Sequence, residues 1–168
     1  MDWVFDYFSE GSNETAGEVI ETTGAIIMGR RTYEVEDRYR PGIYGGAWTG
    51  PFFVLTREPP AAVPGWTTGT FITEEIEPAV ARAARAAGGK NVGILGANLA
   101  KQCLERGLLD EIVIHLAPVL LGDGVRLVDV SGGLRVRLEP THLARTGQLT
   151  DLRFRVASGE RTDAEGAA

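Results

Sequence analysis

Three short segments hold the residues whose types and spacing suit an anionic ligand. In Met28-Gly29-Arg30-Arg31-Thr32-Tyr33-Glu34, an apolar run ends at a glycine and two arginines follow at once. A backbone without Cβ admits close approach of a ligand, and guanidinium forks meet phosphate through two parallel hydrogen bonds. In Val54-Leu55-Thr56-Arg57-Glu58-Pro59-Pro60, a second apolar run ends in a hydroxyl and an arginine, and the prolines stop the element. In Gly93-Ile94-Leu95-Gly96-Ala97-Asn98-Leu99-Ala100, a strand passes through a small-residue turn into a helix. The first amides of such a helix lack internal partners and, with the helix dipole, form an anion site. Each segment alone has a plainer reading: a solvated basic turn, a solvated arginine, or small residues that serve packing. Together they place two arginines and a set of free amides at strand ends, where open α/β sheets bind ligands. The Gly96 turn is not a G-x-G-x-x-G fingerprint, and no acid stands near the end of the following strand; Asp110 and Glu111 lie at its start.

The elements that must position these segments follow from hydrophobic patterning. Short apolar runs at 25–28, 52–55 and 91–95 read as strands, the third of the near-continuous type found in sheets covered on both faces. A longer β-branched run covers 111–121. Two helices are expected between the strands. Residues 74–87 set Ile76, Val80, Ala83, Ala84 and Ala87 on one stripe, with Thr73 as cap. Residues 97–106 group Leu99, Cys103 and Leu104, and Gly107 stands where a helix stops. Segments 134–146 and 149–157 flank a Thr-Gly-Gln turn and read as a terminal antiparallel hairpin, with Leu152, Phe154 and Val156 in alternation. The expectation is an α/β domain over residues 1–157, its sheet mostly parallel and finished by a C-terminal antiparallel hairpin, with a disordered tail at 158–168.

Composition narrows the function classes. A chain of 168 residues suits one domain and buries a sizeable core without metal or disulfide staples. A net charge of −6 opposes a broad nucleic-acid face but not a small anionic ligand, which needs only one or two local cations. Cys103 is the single cysteine, so no intrachain disulfide forms, which fits a reducing cytoplasm. With two histidines, His115 and His142, beside it, no usual structural zinc site is expected. No apolar run approaches the roughly 18 residues of a membrane span, and the N-terminus lacks the basic and apolar regions of a signal peptide.

In order and spacing the three segments resemble dihydrofolate reductase. They more closely resemble the C-terminal reductase domain of riboflavin-biosynthesis deaminase/reductases and its stand-alone relatives. The resemblance runs from Trp3 to Val156. Its most specific pieces are 28–34, 53–57, 96–109 and Asp110-Glu111 through Leu116-Ala117-Pro118-Val119-Leu120-Leu121-Gly122-Asp123-Gly124. It implies the dihydrofolate-reductase-like three-layer α/β/α fold, NADPH as cofactor and a homodimer. Carried over by position, Gly29, Arg30 and Thr32 match the cofactor motif after a strand, with Arg30 facing the adenosine 2′-phosphate or pyrophosphate. Leu55, Thr56 and Arg57 match the adenosine side, with Arg57 a second candidate for the 2′-phosphate. Gly96, Ala97, Asn98 and Leu99 match the pyrophosphate turn, where the family has two adjacent glycines and this chain has Gly96-Ala97. The family's strand and Ser-Leu-Asp-Gly-like segment precede the tryptophan matching Trp3, so the first family strand is expected to be missing.

Other residues have bland alternatives. His115, between Ile114 and Leu116, reads as a packed or interface histidine before a catalytic one. Cys103 reads as a small core residue. Trp48 could cover a substrate or close the core. Asp6 stands at a spacing reminiscent of the substrate-side acid of dihydrofolate reductases and is the sole catalytic candidate, against a helix-surface carboxylate. Tyr33, Glu34 and Tyr39 could line the substrate side. The resemblance implies hydride transfer from NADPH to a small pterin-like or pyrimidine ribosyl-amino heterocycle. Folate reduction and a nucleotide-binding module without turnover are the alternatives.

Overall fold

The computed structural model describes residues 7, 14–39, 43–61, 69–128 and 135–157. In chain order these form α1 (Glu14–Thr22), β1 (Thr23–Gly29), α2 (Arg30–Tyr39), a 3-10 turn (Ile43–Gly46), β2 (Phe52–Leu55) and β3 (Thr70–Ile72). They continue with α3 (Ile76–Ala87), β4 (Asn91–Leu95), α4 (Ala97–Glu105), β5 (Glu111–Leu116), β6 (Leu138–Thr146) and β7 (Leu149–Val156). The chain divides into two compact units, Glu18–Gln102 and Met1–Gly17 with Cys103–Ala168.

In the first unit four parallel strands run in the order β3-β2-β1-β4. The reason is visible in β1, where Ala25, Ile26, Ile27 and Met28 are all 0–1% exposed. Alternate side chains of a strand point to opposite faces, so a strand buried at four consecutive positions needs cover on both. Ile26 and Met28 cluster with Phe52 and Val54 of β2 and with Tyr33 of α2. Ala25 and Ile27 point the other way. The chain steps from β1 to β2 and β3, then returns to lay β4 on the far side of β1. Right-handed crossovers on both sides put α2 and α3 on opposite faces, giving the expected three layers.

The helix α3 corrects two expectations. It starts at Ile76, with Glu75 at the N-cap position and no side-chain cap bond; Thr73 is exposed and does not cap it. Glu74 instead pairs with Arg82. The buried stripe is Ile76, Ala79, Ala83 and Ala87, so Ala79 replaces Val80 and Ala84, the latter exposed. Small side chains on this stripe let the helix lie close to its sheet. Helix α4 ends as expected: Gly107 takes φ 69°, and Gly107 and Leu108 donate backward to the carbonyls of Leu104 and Cys103. Cys103 is fully buried.

The second unit holds a separate antiparallel sheet, β5-β7-β6. The expected hairpin is present, as β6 and β7. Strand β5 is shorter than the 111–121 run. It stops at Leu116 because Val119 donates to the Ala117 carbonyl at 2.9 Å, closing a γ-turn around Pro118. The alternation in β7 is also present, with its burial inverted. Leu149 and Asp151 are buried, whereas Leu152, Phe154 and Val156 on the opposite face are only partly so. The tail at 158–168, Trp3 and Asp6 lie outside the described residues.

Candidate functional site

The strand order places a topological switch point between β1 and β4, and open α/β sheets bind ligands outside the carboxyl ends of the strands there. Pairing sets those ends level. Gly29 is in register with Leu55, and Met28 with Leu95. The residues that follow, Arg30 to Thr32, Thr56-Arg57 and Gly96 to Leu99, therefore leave from one edge of the sheet. Contact across the switch point is direct. Gly96 adopts φ 104°, and a Cβ there would stand 2.6 Å from Thr32 Oγ1. Only glycine fits this turn, both for its left-handed backbone and for the hydroxyl beside it. Above Gly29 the situation is reversed: a Cβ would meet nothing within 4 Å, so the strand end faces open space.

Electrostatics single out the same edge. Helix α2 begins at Arg30 directly after β1, and α4 begins at Ala97 one residue after Gly96. Neither has an acidic residue in its first turn, whereas α1 and α3 carry Glu14 and Glu77 there. Acids stabilise a helix N-terminus and cations do not, by roughly 0.3–1 kcal/mol each. Two arginines opening α2 are thus locally unfavourable, an arrangement that an incoming anion reverses. Leu99 is buried at 4% exposure, so α4 can offer its backbone amide and not its side chain. The exposed Asn98 side chain accepts from Gln102.

The two arginines differ in their surroundings. Arg30 donates through Nε to Glu34 Oε1 at 2.8 Å and through Nη1 to the Glu58 carbonyl at 3.0 Å. Thr56 Oγ1 accepts from the Glu58 amide at 3.3 Å, and the Thr56 amide donates to Ile72 at 3.0 Å, which fixes the turn after β2. Arg57 sits on that turn, exposed, with no hydrogen bond or ion pair among the described residues.

The substrate-side candidates lie in the core. Tyr33 is 8% exposed; its ring lies 6.4 Å from Phe52 and meets Phe71 edge-on at 5.3 Å. Trp48 packs against the same cluster and folds over Gly50, where a Cβ would stand 2.5 Å from its ring. Its indole Nε1 is buried without a hydrogen-bond partner among the described residues, a donor that costs about 1–3 kcal/mol if it stays unmet. Tyr44, partly buried on this cluster, has φ 53° and is the one non-glycine residue with positive φ among those described.

A second polar cluster escaped the sequence reading. In the antiparallel sheet, Asp151 is fully buried; its Oδ1 meets His115 Nδ1 at 2.5 Å and its Oδ2 accepts from Thr146 Oγ1 at 3.1 Å. Burial alone pushes this carboxyl up from 3.8, but hydrogen bonds from His115, Thr146 and Thr15 and the charge of His115 outweigh it and hold it below that value. The available signal was Asp151 two residues after Leu149, on one face of an alternating strand. Among the described residues no group of three or more metal-ligating side chains gathers, and no helix is long and apolar enough to cross a membrane.

Residues 3–151 match the family model of the RibD C-terminal domain. The chain belongs to this family. It is 28% identical over 156 residues to the uncharacterized Bacillus subtilis (strain 168) protein YwjB, covering 92% of this chain and 85% of that one. Its fold is that of a Shewanella sp. PV-4 protein assigned to riboflavin biosynthesis, with TM-score 0.73, 21% identity, and 94% and 88% of the two chains covered. A Thermotoga maritima diaminohydroxyphosphoribosylaminopyrimidine deaminase/5-amino-6-(5-phosphoribosylamino)uracil reductase shares the fold at TM-score 0.59 and 9% identity, over 87% of this chain and 50% of that one. Membership in the RibD C-terminal domain family, and the fold shared with these neighbours, match the resemblance read from 28–34, 53–57 and 96–124.

Proposed function

We propose that the chain is an NADPH-dependent reductase acting on a small pterin-like or pyrimidine ribosyl-amino heterocycle. The observation that carries this reading is the junction across the β1–β4 switch point. There two helix N-termini without acids, an open strand end at Gly29 and the Gly96–Thr32 contact share one sheet edge. When bound, the nicotinamide supplies the hydride; the work of the chain is to hold and orient it. The amides opening α4 at Ala97, Asn98 and Leu99 hold the pyrophosphate, and the bare face of Gly29 leaves it room. Leu55 and Thr56 flank the adenosine, and Arg30 and Arg57 supply positive charge for the 2′-phosphate. Trp48 borders the substrate side, with Tyr33 packed behind it in the core and Trp48 Nε1 as a donor in reserve. Membership in the RibD C-terminal family and the reductase name of the Thermotoga neighbour support the substrate class.

The reading includes a second copy of the chain as partner. Register puts Leu116, Leu143 and Leu138 on the same face of the antiparallel sheet as Leu152 and Phe154, and the three leucines are 55%, 73% and 37% exposed. An apolar face of this kind marks an interaction surface.

Titration of the purified protein with NADPH and NADH tests the proposal. NADPH should bind at least about tenfold tighter, because a phosphate meeting charged donors gains roughly 1.5–3 kcal/mol. Equal affinities, or no binding of either, would remove the central claim. Binding without oxidation against pterin, folate or ribosyl-amino pyrimidine substrates would leave a nucleotide-binding module.

A further inference from the structure

We propose that the turn from Ile43 to Gly50 is a strap that lifts to admit a planar heterocycle, and that Trp48 on it donates its indole N–H to an acceptor of that ring. This deepens the reductase reading above and rests on its substrate class. The side chain of Trp48 is only partly buried, but its Nε1 is shut away from water and meets no acceptor among the described residues. Buried polar groups in folded proteins nearly always have a partner, and an indole N–H can only donate. Trp48 packs against a cluster that holds the rings of Tyr33, Phe52 and Phe71 and the side chain of Ile43. Apart from tyrosine hydroxyls that cluster is carbon, so a water there would find few of the roughly 2–4 polar partners it needs. A flat ring bearing a carbonyl or an unprotonated ring nitrogen matches both features. It offers a face to the aromatic rings and a lone pair to Nε1.

The backbone of the strap is suited to move between two fixed ends. Ile43 at its start is 3% exposed. Just past its end the Pro51 carbonyl accepts from the Ile26 amide at 3.1 Å, which ties the chain to β1. Between these points Gly46, Ala47 and Thr49 are exposed. Long backbone bonds close the turn: Ala47 donates to the Tyr44 carbonyl at 3.3 Å and Trp48 to the Ile43 carbonyl at 3.2 Å, at or beyond the usual limit for N–H to oxygen. Tyr44 holds φ 53°, a left-handed conformation that strains a bulky side chain, so a strap that leaves it gives up that strain. The indole has a shaped seat, because it lies on the backbone of Gly50, where a Cβ would stand 2.5 Å from the ring. Strain, weak closure and an unmet donor thus fall on one segment, and lifting it presents Nε1 and the aromatic cluster to a ligand together.

The probe is lumazine, a dioxopteridine that carries both carbonyls and ring nitrogens, and the readout is the indole N–H resonance of Trp48 in isotope-labelled protein. The chain has three tryptophans, and the Trp48 signal is the one that disappears in Trp48→Phe. Saturating lumazine should move that signal downfield and slow its exchange with water, which a merely structural tryptophan would not show. Trp48→Phe keeps a ring and loses the donor. With its folding verified by circular dichroism, it should bind lumazine about tenfold more weakly, as for one hydrogen bond left unmade, and NADPH within about twofold of wild type. Gly50→Ala should push the indole off its seat, speed exchange of its N–H in the free protein and weaken lumazine by a similar factor. Lumazine bound with the Trp48 signal unmoved, or bound equally well by Trp48→Phe, would overturn the inference. So would a wild type that binds NADPH but not lumazine, with the cofactor reading left intact. A protein that binds lumazine with the Trp48 signature but neither NADPH nor NADH would uphold the strap and sink the reductase reading.

Discussion

The parallel and antiparallel sheets of this protein solve the same problem in opposite ways. In the parallel unit the side chains of Ala25, Ile26, Ile27, Met28 and Val54 are essentially removed from water. Helices lie over both faces, and the polar residues of the site sit only at the strand ends. In the antiparallel unit the fully buried side chains include a carboxylate, Asp151, while Leu116, Leu120, Leu121, Val125, Leu127, Val128, Leu138 and Leu143 are exposed. Every large exposed apolar side chain among the described residues belongs to this unit. The first sheet is stabilised by helices over both faces and gathers its polar residues at one edge. The second holds its strands together through a polar pair and leaves apolar side chains exposed.

Truncating one side chain in each region should expose the contrast most strongly. Ile27→Ala removes a side chain at 0% exposure from a strand covered on both sides. It should cost about 2–5 kcal/mol in urea unfolding, the range for large-to-small changes in packed cores. Leu120→Ala removes one that is fully exposed, and should fall within about 0.5 kcal/mol at dilute protein. Leu143→Glu should leave dilute stability equally unmoved, yet abolish any concentration-dependent dimer seen by sedimentation. A loss above about 1 kcal/mol for Leu120→Ala in the dilute monomer would mean that the antiparallel unit is not the open one.

The next largest effect belongs to the polar pair. Asp151→Ala strands His115 Nδ1 and the Thr146 hydroxyl in a buried site and should cost about 2–3 kcal/mol at neutral pH. The pH dependence has a definite sign. The folded-state carboxyl titrates below its ordinary 3.8, so its contribution is complete above that value and is lost as pH falls through the folded value. Urea midpoints of the wild type and Asp151→Asn should therefore be furthest apart near pH 7 and converge below about pH 3.8. A gap that widens on acidification would reverse the assignment and make the buried acid a liability.

The same contrast decides what the sequence could reveal. Strands β1 and β2 are legible because burial on both faces forces continuous apolar runs; β4 shows the same kind of run although its residues are only partly buried, and the three site segments lie at the ends of these runs. Strand β3 is three residues, Thr70 to Ile72, too short for any period to register. Helix α2 is dominated by charged side chains and, among its described positions, buries only Tyr33, so it offers no apolar stripe; its role is to start at Arg30. In the antiparallel unit alternation identifies the strands but not the buried face, because apolar residues stand on the exposed side and an acid on the buried one. Arg30 and Arg57 look equivalent as residue types, and only the partners Glu34 and Glu58 separate them. Those partners are set by a helical turn and by a strand register, neither of which a list of residues contains.

The smallest effect tests whether the parallel unit is as well finished at its helix ends as in its core. At the start of α3, Glu75 has the extended conformation of an N-cap, φ −68° and ψ 165°, and its carbonyl already accepts from Ala79 at 3.1 Å. Its side chain makes no cap bond. Glu75→Ser supplies a hydroxyl short enough to accept from the first-turn amides, a change usually worth about 1 kcal/mol. Here the third helical residue is Pro78, which has no N–H to give, so only the Glu77 amide can be captured. The gain should therefore be nearer about 0.5 kcal/mol, a rise of roughly 1–2 °C in the melting temperature. A gain of 1 kcal/mol or more would mean that the helix starts elsewhere than at Ile76. A loss would mean that Glu75 already stabilises the turn through its charge at the helix N-terminus.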